Sequence, residues 1–425
     1  MYLPTVFNSA RRPMPDALVQ ATIRTDCLRR NVQSLQDRAH PASLMAVLKA
    51  DAYGHGVRTI APLLQDAGVR AFAVARVHEA VVLRQLGIRG VILVLAPPTA
   101  TELSVYQQHR LHASVTSPAV VDMVCRADLD TPLSVHVNVD TGMHRLGLDW
   151  RRVPTQWRRL HDASSVETVG MYTHLATADT PDHPLNDRQL RHFTKAVQDA
   201  YPTPTVVHVA NTDALTQLPN RLPEGTQYVR TGLGLYGLTS VPPRSMQNGD
   251  GGSDSPRGER LGVKDQATAP NYTSRCVPLR PVLSLRAQVI HTHTVPEGET
   301  VSYGACWTAP RDTSVATLGI GYGDGYPRSA SGNGRVRLHG EQRPLVGRVC
   351  MDLCMVDLGS PNSPLAQRTT VGDTAVLFDQ KGPTVYDVAR WSATIPYEIC
   401  CQLAPRVSRR YRPRVSTAAL EDGTI

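Results

Sequence analysis

No uninterrupted apolar run in the 425 residues approaches the ~20 that a membrane-spanning helix needs, so neither a membrane span nor a membrane partner is expected. The opening stretch, Met1 to Ala17, carries Arg11, Arg12 and prolines but no apolar centre, so no signal peptide is expected. The 8 cysteines form no Cys-x-x-Cys pair, and Cys400 and Cys401 are neighbours. That arrangement suits neither a disulfide framework nor a thiolate metal site, so reduced thiols in the cytoplasm and no metal are expected. The net charge of +8 is scattered over small clusters such as Arg151-Arg152 and Arg158-Arg159, without interleaved aromatics. A solvated basic surface that favours anionic small substrates accounts for it better than a nucleic-acid partner. No G-x-G-x-x-G turn follows the first strand, which argues against an open dinucleotide-binding sheet.

What the chain does contain is a strand that delivers one amine into a glycine-rich mouth. The apolar run Leu44 to Leu48 reads as a short buried strand, and Lys49-Ala50-Asp51-Ala52-Tyr53-Gly54-His55-Gly56 follows it at once. On residue type alone a lysine after a strand is a surface group. Among apolar neighbours, however, an ammonium loses hydration and its pKa falls, which frees a nucleophile for imine chemistry.

Short apolar segments alternate with helix-like ones from Ala17 to about Leu238. Leu28, Val32 and Leu35 mark the first helical face at i, i+4 and i+7. Strand-like runs recur at 18–23, 44–48, 71–75, 91–95, 111–115, 133–139, 166–172, 206–209 and 228–229. Such alternation implies parallel strands with helical crossovers, and this number favours a closed (β/α)8 barrel. The domain is expected over 17–239. A polar, glycine-rich stretch at 240–278 reads as a flexible insertion. Strands separated by glycine-rich turns then imply a mainly antiparallel β domain at 279–415, with residues 1–16 packing against it.

Barrel enzymes work where strands end and loops begin. Lys49, His174, Asn211, Thr212 and Arg230 follow strand-like runs, and Asn138 and Arg145 flank Asp140-Thr141-Gly142-Met143 at the end of another. Singly, each has an ordinary reading, such as a helix N-cap for Asn211. Together at one barrel mouth they read as a site.

Several strings resemble the alanine racemase family of fold-type III pyridoxal 5'-phosphate (PLP) enzymes. The segment from Val47 to Gly56 resembles the family's cofactor-lysine motif, and Asp140-Thr141-Gly142-Met143-His144-Arg145-Leu146-Gly147 its substrate-arginine motif. Thr173-His174-Leu175-Ala176, His208-Val209-Ala210-Asn211-Thr212 and Val229-Arg230-Thr231-Gly232-Leu233-Gly234-Leu235-Tyr236-Gly237 resemble further barrel segments. In the last third, Val301-Ser302-Tyr303-Gly304 resembles the catalytic-tyrosine motif. Gly321-Tyr322-Gly323-Asp324, Cys350-Met351-Asp352 and Tyr397-Glu398-Ile399 are similar to family signatures.

The resemblance implies a PLP-dependent, two-base interconversion of L- and D-alanine, supplying D-alanine for peptidoglycan. It implies Lys49 as the PLP-bearing residue and base on the D-face, and Tyr303 as base on the L-face. Arg230 would meet the pyridine nitrogen. Tyr53, Thr212, Tyr397 and the backbone at Gly232 and Leu233 would hold the phosphate, with His174 and Asn211 also on the cofactor. Arg145, Tyr322, Met351 and Asp352 would face the substrate, and a homodimer would share its active sites between subunits. Where the family often has a carbamylated lysine beside the substrate arginine, this chain has Asn138, and an anion such as chloride is expected to take up the charge. The alternatives left open are a racemase of another small amino acid such as serine, and a non-catalytic PLP-binding protein.

Overall fold

A computed structural model describes residues 17–241 and 277–413, and these divide into two units. Of the described residues, one unit comprises 24–241 and 277–282 with Ile395–Cys401; the other comprises Leu283–Thr394 and Gln402–Tyr411 with 17–23. The body of the 240–278 insertion and the proposed packing of residues 1–16 lie outside the described residues.

The first strand, β1 (Val19–Arg24), is followed by a helix over Thr25–Ala39 whose Leu28, Val32 and Leu35 are buried as their spacing predicts. The parallel strands are β2 (Ser43–Val47), β3 (Ala71–Val74), β4 (Val91–Val94), β5 (His112–Val115) and β6 (Leu133–Asp140). A two-residue β7 (Leu148–Asp149) pairs at the end of β6. Then come β8 (Val166–Tyr172), β9 (Val206–His208) and β10 (Tyr228–Thr231). Each pairs in parallel with its neighbour, β10 returns to β2 with Val229 opposite Leu44, and β5 joins β6, so eight strands close into a barrel.

Burial explains why these segments read as near-continuous apolar runs. Leu44–Val47 and Ala71–Val74 are buried at every position, because helices cover the outside of the ring and side chains fill its inside. The crossover helices begin on conventional stops. Ser117 accepts from the Val120 N–H with Pro118 in the first turn, and Asn211 accepts from the Ala214 N–H.

In the other unit, β11 (Leu283–Val295) is the longest strand. It is followed by β12 (Thr313–Leu318), β13 (Arg335–Leu338), β14 (Glu341–Val346), β15 (Cys354–Gly359), β16 (Thr374–Phe378) and β17 (Ser408–Arg412). Antiparallel ladders run from β11 through β12, β15, β14, β13 and β16 back to β11. The architecture is therefore the expected barrel plus a mainly antiparallel β unit.

Two details differ from the linear reading. The segment at 18–23, read as part of the barrel's alternation, pairs antiparallel with β11, Val19 opposite Ala287. Its pattern gives the reason: Val19, Ala21 and Ile23 are buried while Gln20, Thr22 and Arg24 are half-exposed, as in a one-sided sheet. Conversely, the helix Pro396–Cys401 groups with the barrel, although the chain on either side of it belongs to the other unit.

Candidate active site

Lys49 leaves β2 through a backbone that right-handed chemistry resists. Ala50, Asp51, Ala52 and Tyr53 all have φ between 53° and 56°, one turn of left-handed helix built without glycine. Each such residue costs roughly 1–2 kcal/mol, so the turn persists only because its surroundings hold it. The Ala50 N–H donates to Glu79 Oε1 at 2.7 Å, and the Val57 N–H donates to Asp51 Oδ1 at 2.8 Å. Gly54 closes the turn at φ 77°, pressed so tightly on the Cys400 carbonyl that a Cβ would collide with it. The result is a half-buried amine, its Nζ 6.0 Å from the centre of the Tyr53 ring. Burial, and secondarily the charge of Arg145, lower the Lys49 pKa; Cys401 and Glu79 oppose that in part.

Arg230, from β10, is only 5% exposed. Its Nη1 donates to the His208 carbonyl at 2.7 Å and to His208 Nδ1 at 3.1 Å. Its Nη2 donates to the carbonyls of Thr173 at 2.6 Å and Val209 at 3.3 Å. Those four bonds use both terminal nitrogens and leave Nε–H as the remaining donor. Burial lowers its pKa to about 10, still a cation at neutral pH. His174, at the end of β8, is pushed down to about 3 by burial and then by the charges of Arg230, Arg145 and Lys49, so it is neutral.

A set of hydroxyls lies in the same unit. The buried Tyr53 ring packs against Tyr236 at 5.4 Å and Tyr397 at 6.0 Å between centroids, and burial raises its pKa, so the phenol is a neutral donor. A Cβ at Gly232 would fall on the Tyr53 hydroxyl. Thr212 Oγ1 accepts from the Gly234 N–H at 3.1 Å, and Leu233 begins the turn Leu233–Tyr236 directly after Gly232. The Tyr397 hydroxyl lies 3.2 Å from Ser240 Oγ, which donates to the buried Asp213 at 2.6 Å. Asn211 spends its side-chain oxygen as the cap described above. Arg145 is exposed on a loop that Asp140 organises by accepting from the N–H groups of Gly142 and His144, both at 3.0 Å. Asn138 lines a small pocket together with Arg145, Thr173 and His174.

The remaining expected residues gather within the other unit. Tyr303 is 73% exposed, at a turn opened by Ser302 with φ 69°, and the Ser302 hydroxyl donates to the Arg348 carbonyl at 2.8 Å. The Tyr322 N–H donates to the Cys350 carbonyl at 3.0 Å, and the Gly323 N–H to the Met351 carbonyl at 2.8 Å. Arg406 ties Asp352 to the buried Asp324, each at 2.7 Å. Tyr303, Tyr322, Met351 and Asp352 are thus carried on loops knitted together around residues 348–352.

Linear reading missed several supports. Glu79, which accepts from the N–H groups of Ala50, Ala75 and Arg76, sits in the first turn of an ordinary short helix and carries no signal. The Asp213–Ser240 pair joins residues on two sides of a turn-rich stretch. The buried His136 was visible as a polar residue inside an alternating apolar strand, beside His208 in a quoted motif.

Comparison with known proteins follows the same division. Residues 23–240 match the family model described as alanine racemase, N-terminal domain, and 282–411 match alanine racemase, C-terminal domain. An alanine racemase of Deinococcus radiodurans is 37% identical over 391 residues, covering 92% of this chain and 98% of that protein. The crystal structure of the biosynthetic alanine racemase from Pseudomonas aeruginosa superposes with TM-score 0.77 at 31% identity, covering 93% of this chain and 99% of that one. An alanine racemase from Bartonella henselae, solved with covalently bound pyridoxal phosphate, gives TM-score 0.76 at 27% identity, covering 93% and 100%.

Proposed function

The chain belongs to the alanine racemase family and is an amino-acid racemase; on that premise we propose that it interconverts L- and D-alanine with PLP carried on Lys49. The observation that carries the reading is the half-buried Lys49 amine, with its pKa lowered, in one unit with the buried cation Arg230. The donor set fits the cofactor. Hydroxyls at Tyr53, Thr212 and Tyr397 suit a phosphate, and Gly232 lets the Tyr53 hydroxyl approach the backbone where any Cβ would collide with it. His174 and Asn211 would flank the ring.

When bound, PLP supplies an electron sink that acidifies the substrate's α-carbon. Lys49 Nζ, with its lowered pKa, then takes or returns the α-proton on one face. The Tyr303 hydroxyl does the same on the other. Arg230 only donates and stays charged, so it would hold the pyridine nitrogen of a bound PLP as an acceptor, which would moderate the sink and disfavour side reactions. Arg145 and the Met351 N–H would receive the substrate carboxylate, with Tyr322 and Asp352 also facing the substrate. An anion beside Asn138 would balance the Arg145 charge.

Tyr303 and Met351 are 73% and 55% exposed, as residues given over to a second copy would be. We read the active form as a homodimer in which each Lys49 works with the partner subunit's Tyr303. Among the described residues no helix is long and apolar enough to cross a membrane. From the family membership we read it as a cytoplasmic enzyme supplying D-alanine for peptidoglycan.

The test is turnover by the purified full chain, followed by appearance of the D-isomer from L-alanine and, separately, from L-serine. Lys49→Ala is expected to lose both the PLP absorption band and the rate. Tyr303→Phe is expected to keep the band and lose at least ~100-fold in rate, as removal of a general base does. A Lys49→Ala protein that keeps its band would overturn the assignment, and faster turnover of serine would move the substrate.

A further inference from the structure

Three imidazoles stand in hydrogen-bonded file through the barrel, from β9 through β6 to β5. His208 Nε2 lies 3.0 Å from His136 Nδ1, and His136 Nε2 lies 3.0 Å from His112 Nδ1. His136 and His208 are fully buried, and His112 is half-buried at the start of its strand. The file has a head, because Arg230 Nη1 meets His208 Nδ1 at 3.1 Å.

That head sets the direction of every bond behind it. A guanidinium has no lone pair to offer, so His208 Nδ1 must be bare and must accept. The single proton of a neutral His208 then sits on Nε2 and is donated to His136 Nδ1. His136 in turn carries its proton on Nε2 and donates it to His112. Any other tautomer would set two N–H groups, or two lone pairs, against each other without water to relieve them. A second proton on any ring is opposed by burial, which holds His136 and His208 well below the ordinary imidazole value and His112 at about 4. Space is reserved for the file as well. Gly170 on β8 has no side chain where a Cβ would first collide with the Val206 carbonyl of β9 and would also stand 3.1 Å from His136 Nδ1.

We infer that His136, backed by His112, is a positioning residue that acts through His208 to fix the orientation and donor pattern of Arg230. Each bond in such a file polarises the next, so His208 becomes a better acceptor than an isolated imidazole. Arg230 is thereby held with its terminal nitrogens spent and Nε–H presented. The inference rests on the reading that Arg230 faces the pyridine nitrogen of PLP.

The test uses the full chain, with and without PLP. In the PLP-free protein, 15N spectra of labelled histidines should show His208 and His136 as Nε2–H tautomers. With PLP, His136→Leu should make the absorption band titrate across neutral pH, because a misplaced Arg230 no longer keeps the pyridine nitrogen unprotonated. It should also weaken PLP binding roughly tenfold, the worth of one buried hydrogen bond. His136→Asn keeps an acceptor for His208 and should restore the pH-independent band. Should His136→Leu not fold, His112→Leu tests the same file from its half-buried end: it leaves the His136 Nε2–H without its acceptor, so the band should titrate and PLP binding weaken in the same direction, and an unchanged band and affinity would overturn the inference. A proton on Nδ1 of His208 or His136 would overturn the inference, as would a His136→Leu protein whose band and PLP affinity match the original. Failure of the functional reading looks different: the unaltered protein would then bind no PLP while its tautomers remained as assigned.

Discussion

At the scale of single residues, the site is governed by which groups burial holds neutral. His136, His208, His112 and His174 all titrate below an exposed histidine, the latter two at about 4 and about 3. The unfolded chain therefore binds more protons than the folded one as the pH drops below ~6.5, the value of an unperturbed histidine. The stability these residues contribute is complete above that pH and is lost below it. Each removes about 1.4 kcal/mol per pH unit until its folded pKa is reached. Urea midpoints measured between neutrality and pH ~4 should fall steeply. In His112→Asn the slope should be shallower by about one proton, and an unchanged slope would show that His112 is not held neutral. These histidines were half legible in the sequence. His174 and His208 stood in recognisable strings, whereas His112 and His136 matter only through one another, and pairing across strands leaves no mark in a linear pattern.

At the scale of elements, the left-handed turn over Ala50–Tyr53 is a costly local structure in the site. Its alanines favour a right-handed helix, so no propensity argument finds it. What forces it is tertiary: Glu79 on one side and the Cys400 carbonyl against Gly54 on the other. Gly54→Ala is expected to cost about 2 kcal/mol or more, since it adds strain at positive φ to a backbone collision. The cost should appear in the denaturant midpoint together with loss of PLP binding. A variant as stable as the original would mean that the turn can relax. By contrast, the barrel strands were legible because doubly covered strands must be apolar throughout. The β1 alternation was equally legible in Val19-Gln20-Ala21-Thr22-Ile23, but the pattern says that a strand is one-sided without saying which sheet it joins.

At the scale of the whole molecule, the sharing of active sites is open to a direct test. If each site takes Lys49 from one subunit and Tyr303 from the other, then Lys49→Ala and Tyr303→Phe proteins, nearly inactive alone, should complement one another. A mixed dimer has one intact site and one doubly altered site. Unfolding and refolding an equimolar mixture should thus recover roughly a quarter of the original rate, from half the dimers at half activity. No recovery, with mixed dimers demonstrated by mass, would place both groups in one subunit's site.

The pairing of β1 with β11 also bears on how the molecule is made. Val19 leaves the ribosome early, yet its partner Ala287 follows only after every barrel strand. At ~5–20 residues per second that delay is on the order of tens of seconds, during which the barrel has all its own strands but the leading segment has none to join. Nascent chains halted before Leu283 should therefore present Val19, Ala21 and Ile23 to chaperones, and elongation through Val295 should withdraw them.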